Sequence, residues 1–391
     1  MPILGHIWRE SGMRIRRGAA HRYGGGVDAA RFDLDEMVGD LGRLVTVESP
    51  SHDIDALTQS ANVLADLLRV RLGSDPELVV GPAGPHVHWR AGDRPRVLVV
   101  GHHDTVFPVG ALAARPFTVR DGRATGPGVF DMKGGVVTAI HAVASLADRS
   151  GIEMLFTCDE EVGSLTSRRL IEERAVACGH VLVLEPAADG GALKIGRKGV
   201  GMYAVEVGGR AAHAGLEPEK GVNALVEAAH QVLAITKIAR PEVGTTVTPT
   251  VAHAGTAENV VPAAATIRVD VRVTSLDEAQ RVDKEISALA PVDPQATIAV
   301  SGGVNRPPMQ VESSVELFAS AQQAAQEVGI GPVDGVSVGG GSDGNFTAAL
   351  GVPTLDGLGV VGGGAHADHE WVDVSSLPQR AALLAALIAA L

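Results

Sequence analysis

A chain of 391 residues with 45% hydrophobic content can build two or three domains, and 3% aromatics leaves Val, Ala, Leu and Gly to fill the cores. A formal net charge of −13 argues against a nucleic-acid backbone as partner, though a local Arg can still dominate a pocket for an anionic small molecule. Two cysteines, Cys158 and Cys178, allow at most one disulfide; this low usage agrees with a cytoplasmic location, and Cys158 is read as a reduced, buried residue.

Residues 1–33 differ from the rest, with Arg9, Arg14, Arg16, Arg17 and Arg22 ahead of three glycines. Arg16-Arg17 has the look of a twin-arginine signal, but no apolar stretch follows, so the segment reads as a flexible arm. Phe32–Val47 is an amphipathic helix with Leu34, Met37, Leu41 and Leu44 on one stripe, and Ile54–Leu72 is a second helix. Strands follow near Leu78–Val80, His86–Trp89 and Val97–Gly101, then a helix over Val136–Leu146, a strand over 152–157, a helix over 165–174 and a strand over 180–184. This alternation predicts an α/β sandwich with a mostly parallel sheet, helices on both faces and ligands beyond the carboxyl ends of the strands.

From Lys198 the pattern changes. Strands over Gly199–Val207, Thr245–Ala254, Ala264–Val273 and 296–301, with helices over Val222–Lys237 and Leu276–Leu289, give a β-α-β-β-α-β order, which is ferredoxin-like. A helix over 313–328 resumes the sandwich, and Ala381–Leu391 is a last packed helix, too short to span a bilayer. The expected division is therefore a catalytic domain of residues 34–197 and 305–391, interrupted by an inserted α+β domain of residues 198–304.

Reactive side chains collect at the strand ends. His102 and Asp104 face the same way on an extended chain, so Asp104 can accept a hydrogen bond from His102 and fix its tautomer as a metal ligand. His103 faces the other side and is read as structural. Asp131 lies in a glycine-rich loop. Asp159, Glu160 and Glu161 repel one another unless cations are present, and of Glu160 and Glu161 one can hold a metal while the other faces water. Glu185 ends a third strand, and His366 follows three glycines far downstream.

His102-x-Asp104, Asp131, Glu160-Glu161, Glu185 and His366, in this order, resemble the M20 family of dinuclear zinc peptidases and deacylases, and within it the glutamate carboxypeptidase (carboxypeptidase G2-like) group. The likeness is carried further by IGRKG (195–199), AAHAGLEPEKGVNALVEA (211–228), GTAENVVPAAATIRVDVR (255–272), GGGSDGNF (339–346) and DGLGVVGGGAHADHEWV (356–372). The resemblance implies one zinc on His102, Asp131 and Glu185 and a second on Asp131, Glu161 and His366, with Asp131 bridging and followed by a cis peptide. Co²⁺ or Mn²⁺ are possible substitutes. It implies Glu160 as general base, and His213 reaching the neighbouring subunit's site to steady the oxyanion. Asn259 and Arg272, near one another, are implied to hold the substrate's carboxylate, with Lys198 and the loop at Gly341 as further substrate contacts. Arg306 is read as structural and His369 as a surface residue. The inserted domain is implied to be a lid through which the chain forms a homodimer.

The expected activity is hydrolysis of an amide bond in an N-acyl amino acid or short peptide, releasing a C-terminal amino acid, glutamate first among candidates. Glu at position 185 goes with the family's carboxypeptidases and N-deacylases. The alternatives are an N-acyl-amino-acid deacylase of the acetylornithine or succinyl-diaminopimelate type, and a non-catalytic small-molecule or metal-binding protein on the same fold, which the intact Glu160 argues against. Neither a nucleic-acid nor a membrane partner is expected.

Overall fold

The computed structural model describes residues 28–391. Residues 1–27, with Arg16 and Arg17, lie outside the described residues. Residues 28–33, assigned above to the arm, are not arm-like: Ala29–Arg31 is a 3₁₀ turn capped by Asp28, and Phe32 is buried in the core.

Helix α1 (Leu34–Val45) starts where the Asp33 side chain accepts from the Glu36 N–H, and α2 (Ile54–Leu72) where Asp53 accepts from Ala56. Gly73, at φ 79°, ends α2 in the left-handed region. Strands β1 (Glu77–Gly81), β2 (Gly84–Arg90) and β3 (Val97–His102) lead to a short helix α3 (Ala111–Ala114), a small hairpin β4 (Thr118–Arg120) and β5 (Arg123–Thr125), and a π-type turn over Val129–Lys133. Then come α4 (Gly134–Ser145), β6 (Ile152–Thr157), a 3₁₀ turn over Glu160–Val162, α5 (Arg168–Cys178), β7 (Val181–Val183) and β8 (Leu193–Arg197).

The central sheet has the order β1-β2-β6-β3-β7, with a sixth strand β14 (Thr354–Leu355) at its edge. The β6, β3, β7 and β14 pairings are parallel and those of β1 and β2 antiparallel. Alternation along the strands serves two helical layers. Val97, Val99, Ile152, Met154 and Phe156 join the core under α1, α2, α4 and the C-terminal helix, while Leu98, Val100 and Leu155 join Ile171, Ala175 and Cys178 of α5 on the other face. Each fully buried Leu or Ile here contributes about 2 kcal/mol of transfer free energy.

The second unit comprises β9 (Gly199–Gly208), α6 (Ala224–Thr236), β10 (Thr246–Ala254), β11 (Ala264–Val273), α7 (Leu276–Ser287) and β12 (Thr297–Arg306). Its antiparallel sheet has the order β10-β11-β9-β12 and its own core, from Val205, Ile267 and Val269 to Val282 and Ile286. Strand β12 runs on to Arg306, past the boundary expected at 304. The chain enters and leaves this unit side by side: Arg197 and Met309 exchange two backbone hydrogen bonds, of 2.9 and 3.0 Å.

The rest of the chain supplies α8 (Val315–Glu327), β13 (Gly335–Val338, parallel to β8), α9 (Gly344–Ala349), β14, β15 (Gly362–Gly363), β16 (Trp371–Asp373) and α10 (Ser376–Ala390). Strands β15, β16, β5 and β4 form a small sheet that the sequence pattern did not indicate, because strands of two or three residues show no periodicity. No helix among the described residues is long and apolar enough to cross a membrane.

Candidate metal centre

His102, at the end of β3, is 1% exposed. Its Nδ1 lies 3.0 Å from the Asp104 main-chain oxygen and 3.4 Å from the Asp104 carboxylate, so the backbone carbonyl is the nearer acceptor. The carboxylate accepts from Ser51 Oγ at 2.7 Å and from the Glu160 and Glu161 N–H groups at 3.3 and 3.2 Å. Asp104 thus ties the end of β3 to the turn after β6. His103 points away, with its ring nitrogens against Ser60 Oγ and the Pro85 carbonyl, and burial pushes it down to about 4.

The peptide between Asp131 and Met132 is cis. Helix α4 begins immediately afterwards, and Gly135 in its first turn allows it to lie against the end of β7: a Cβ there would sit 2.4 Å from the Leu184 oxygen. His366 has a left-handed backbone, φ 63°, just after Gly364 at φ 77°. This turn folds the imidazole back onto the carboxylates.

The donor atoms converge. His102 Nε2 lies 3.4 Å from Asp131 Oδ1 and 3.8 Å from Glu185 Oε1. His366 Nε2 lies 3.4 Å from Asp131 Oδ2 and 3.0 Å from Glu161 Oε2. Asp131 therefore presents one oxygen to each imidazole. His102 Nε2, Asp131 Oδ1 and Glu161 Oε1 are buried with no hydrogen-bond partner among the described residues. Buried polar atoms left unpaired are costly, and imidazole nitrogens with carboxylate oxygens form a donor set suited to zinc. The residues fit two divalent cations sharing Asp131. Donor atoms of Glu160, His102 and Glu185 also lie within 4.8 Å of one another, so Glu160 borders the first position.

The charges say the same. Burial alone would depress His102, but Asp104 and Asp131 outweigh it and hold the imidazole well above its ordinary range. The carboxylates of Asp131 and Glu161 raise His366 to about 10. Burial and then the Asp131 charge push Glu185 up to about 7. Burial pushes Glu160 well above the carboxylate range, despite the guanidinium of Arg306 against it. Asp131, Glu160, Glu161 and Glu185 crowd together and demand positive charge, which divalent cations supply.

A cavity of about 920 Å³ opens onto Glu160, Glu161 and His366, with Gly341, Met202 and Arg272 on its walls. Arg272 is paired with Asp270 at 2.8 and 3.0 Å. Lys198 lines a different, smaller cavity, and its Nζ donates to the Gly244 carbonyl in a turn of the second unit. His213 and Asn259 sit together on neighbouring exposed loops of the second unit, joined by the Ala214 N–H to the Asn259 carbonyl at 2.9 Å, and neither lines the cavity. The expected nearness of Asn259 to Arg272 does not hold within one chain. Asn259 precedes β11 and Arg272 is its penultimate residue, so the strand separates them by roughly 25 Å.

Arg306, read above as structural, lies beside Glu160. It is 5% exposed, and its Nη2 donates to the Glu160 main-chain oxygen at 3.0 Å and to Ser164 Oγ at 2.9 Å, and meets Glu160 Oε1 at 2.9 Å. It also borders Asp343 at 3.4 Å and lines the cavity. Arg197, within the quoted IGRKG stretch but given no role, holds Asp356 at 2.6 Å and stands 3.5 Å from Glu185.

Residues 98–390 match the model of peptidase family M20/M25/M40. The chain is 34% identical to carboxypeptidase G2 of Pseudomonas sp. strain RS-16, covering 92% of this chain and 90% of that protein. It is 30% identical to a succinyl-diaminopimelate desuccinylase of Gluconacetobacter diazotrophicus, over 76% and 82%. Among solved structures, an aminopeptidase of Bacillus cereus superposes with a TM-score of 0.73 at 23% identity, over 91% and 98% of the two chains. A metallo-carboxypeptidase of Sulfolobus solfataricus gives 0.71 at 16% identity, over 92% and 100%. Both show the same mixed α/β fold.

Proposed function

Because the chain belongs to peptidase family M20/M25/M40 and is a metal-dependent hydrolase, we propose that it is a dizinc enzyme that cleaves an amide bond to release a C-terminal amino acid, glutamate foremost. The observation that carries this reading is Asp131, with one oxygen toward His102 and the other toward His366, beside a Glu160 held by Arg306. Zinc held by His102, Asp131 and Glu185 and by Asp131, Glu161 and His366 would supply carbonyl polarisation and a water with its pKa lowered toward about 7.

The chain's own groups do the rest. Arg306 holds Oε1 of Glu160, so Oε2 is assigned to take the proton of the attacking water and pass it to the leaving nitrogen. Arg272, on the cavity wall, is assigned to the substrate's carboxylate, for which a planar guanidinium is suited. His213 and Asn259 lie outside their own chain's cavity, and this supports a homodimer in which the partner's lid supplies them. With both cysteines free and buried, the chain suits a reducing cytoplasm.

The glutamate preference rests on the similarity to carboxypeptidase G2 and on Glu185. The second reading, an N-acyl-amino-acid deacylase, is favoured by the similarity to succinyl-diaminopimelate desuccinylase. Family membership and the placement of Glu160 set the non-catalytic alternative aside. Zinc- or cobalt-loaded enzyme is tested on N-acyl-glutamates, glutamyl-terminal peptides, N-acetylornithine and N-succinyl-diaminopimelate. The first two should be the better substrates; the reverse order moves the protein to the deacylase reading.

A further inference from the structure

Glu370 has no part in the chemistry above, yet it is 1% exposed and forms no ion pair with any described Lys, Arg or His. Its carboxylate is spent on backbone. Oε1 accepts from the N–H groups of Phe130 and Asp131, both at 2.8 Å, and Oε2 accepts from Gly128 at 2.9 Å. Three charge-assisted bonds from one side chain make a firm clamp on a short stretch of main chain.

Strand register explains why it sits there. Trp371, the first residue of β16, pairs with Thr125 of β5 on one side and Gly363 of β15 on the other. Strand β5 runs into the loop that carries Asp131, and β15 runs into the loop that carries His366. The His366 loop is itself closed by Ala367 N–H to the Gly364 oxygen at 2.9 Å and Glu370 N–H to the Ala367 oxygen at 3.1 Å. It is wound so tightly that a Cβ on Gly364 would lie 3.1 Å from the Glu370 Cα. His102, Glu161 and Glu185 stand at or just beyond strands of the central sheet. Asp131 and His366 have no such anchor, and Glu370 joins their two loops.

We infer that Glu370 is the positioning residue of the metal centre: it locks the Asp131 loop to the His366 loop, so that the shared carboxylate and the second imidazole face one another. This rests on the metal-centre reading above. Ligands borne on loops depend on such support, and its loss commonly weakens metal binding about 10–100-fold.

A matched control lies in the lid. Glu227, 2% exposed, accepts from the Val292 and Asp293 N–H groups in the same manner, far from any ligand. Zinc-loaded wild type, Glu370→Gln and Glu227→Gln are challenged with a chromogenic chelator, with melting temperature followed in parallel and cobalt-loaded samples read by visible absorption. Glu370→Gln should surrender zinc at least about tenfold more readily than wild type and show an altered cobalt spectrum. Glu227→Gln should lower the melting temperature and keep wild-type retention. If Glu370→Gln does not fold, Glu370→Asp, which keeps the charge but withdraws it by one methylene, is read in the same assay with the same expectation. Wild-type retention and cobalt spectrum in a folded Glu370 variant overturn the inference. A wild type that holds no zinc against the chelator overturns the metal-centre reading, and the inference with it.

Discussion

Arg306 Nη2 and Glu160 Oε1 lie 2.9 Å apart, and the pair joins the last residue of β12 in the second unit to the turn after β6 of the central sheet. An acid assigned to move a proton is thereby held by an arginine from the other unit of the fold. Arg306→Lys keeps a charge but loses the rigid fork. It should lower kcat roughly tenfold, and Arg306→Met about 100-fold, since small misplacement of a reacting group costs that much. Metal content by elemental analysis should be unchanged in both. An unaltered kcat in Arg306→Met would show that Glu160 needs no such support.

Glu160→Gln keeps the shape of the side chain but cannot accept a proton. It should cut kcat by about 10²–10⁴ with both metals retained. Because Glu160 borders the His102 and Glu185 donors, the metal count decides its role. Loss of one ion would make Glu160 a ligand and transfer the base to Glu161.

His213 and Asn259 share neighbouring lid loops outside their own chain's cavity, so the site is completed across a dimer in the proposed mechanism. Glu160→Gln and His213→Ala should each be nearly inactive, and mixing them should recover activity as heterodimers form with one intact site. No recovery, after native mass spectrometry has verified subunit exchange, counts against a shared site.

Arg272→Lys should raise KM for N-acyl-glutamates about tenfold or more while changing the corresponding amides little, because the lost bidentate contact is to a carboxylate. Equal losses on acids and amides would assign Arg272 to holding Asp270, its neighbour at 2.8 Å.

Acid stability has its own marker away from the site. Burial opposes the ionised form of Glu153, but His88 and Arg174 outweigh it and bring the carboxyl down to about 2. A depressed carboxylate stabilises the fold above its unfolded value near 4.5, and that contribution drains away as pH falls toward 2. Glu153→Gln should melt lower than wild type at pH 7, by an amount equivalent to about 3 kcal/mol, and the two curves should converge as pH approaches 2. A constant gap across that window would mean Glu153 acts through packing alone.

The strands that carry the candidate site were legible because burial on both faces leaves continuous apolar runs: Ile152–Thr157 has the expected bounds, and Val97–Gly101 gains only His102. His366 was preferred to His369 for the glycines before it, and Gly364 is left-handed there, as is His366 itself. Arg306 and Glu370 were not legible as site residues. Arg306 meets Glu160 from 146 residues away, and Glu370 meets Phe130 from 240 away, and no local pattern records such a meeting. Side chains that act by holding others carry no spacing rule, whereas those at strand ends carry one.

The paired main chain at Arg197 and Met309 has a consequence for how such a molecule can be rebuilt. A segment of more than a hundred residues departs and returns through neighbouring positions already joined by hydrogen bonds, so its two ends are a turn's width apart. Excision there needs only a tight turn to reseal the body, and a foreign domain with adjacent termini could be spliced into the same gap. Recombination at this one seam would exchange the second unit while leaving His102, Asp131, Glu161, Glu185 and His366 on the rest of the scaffold.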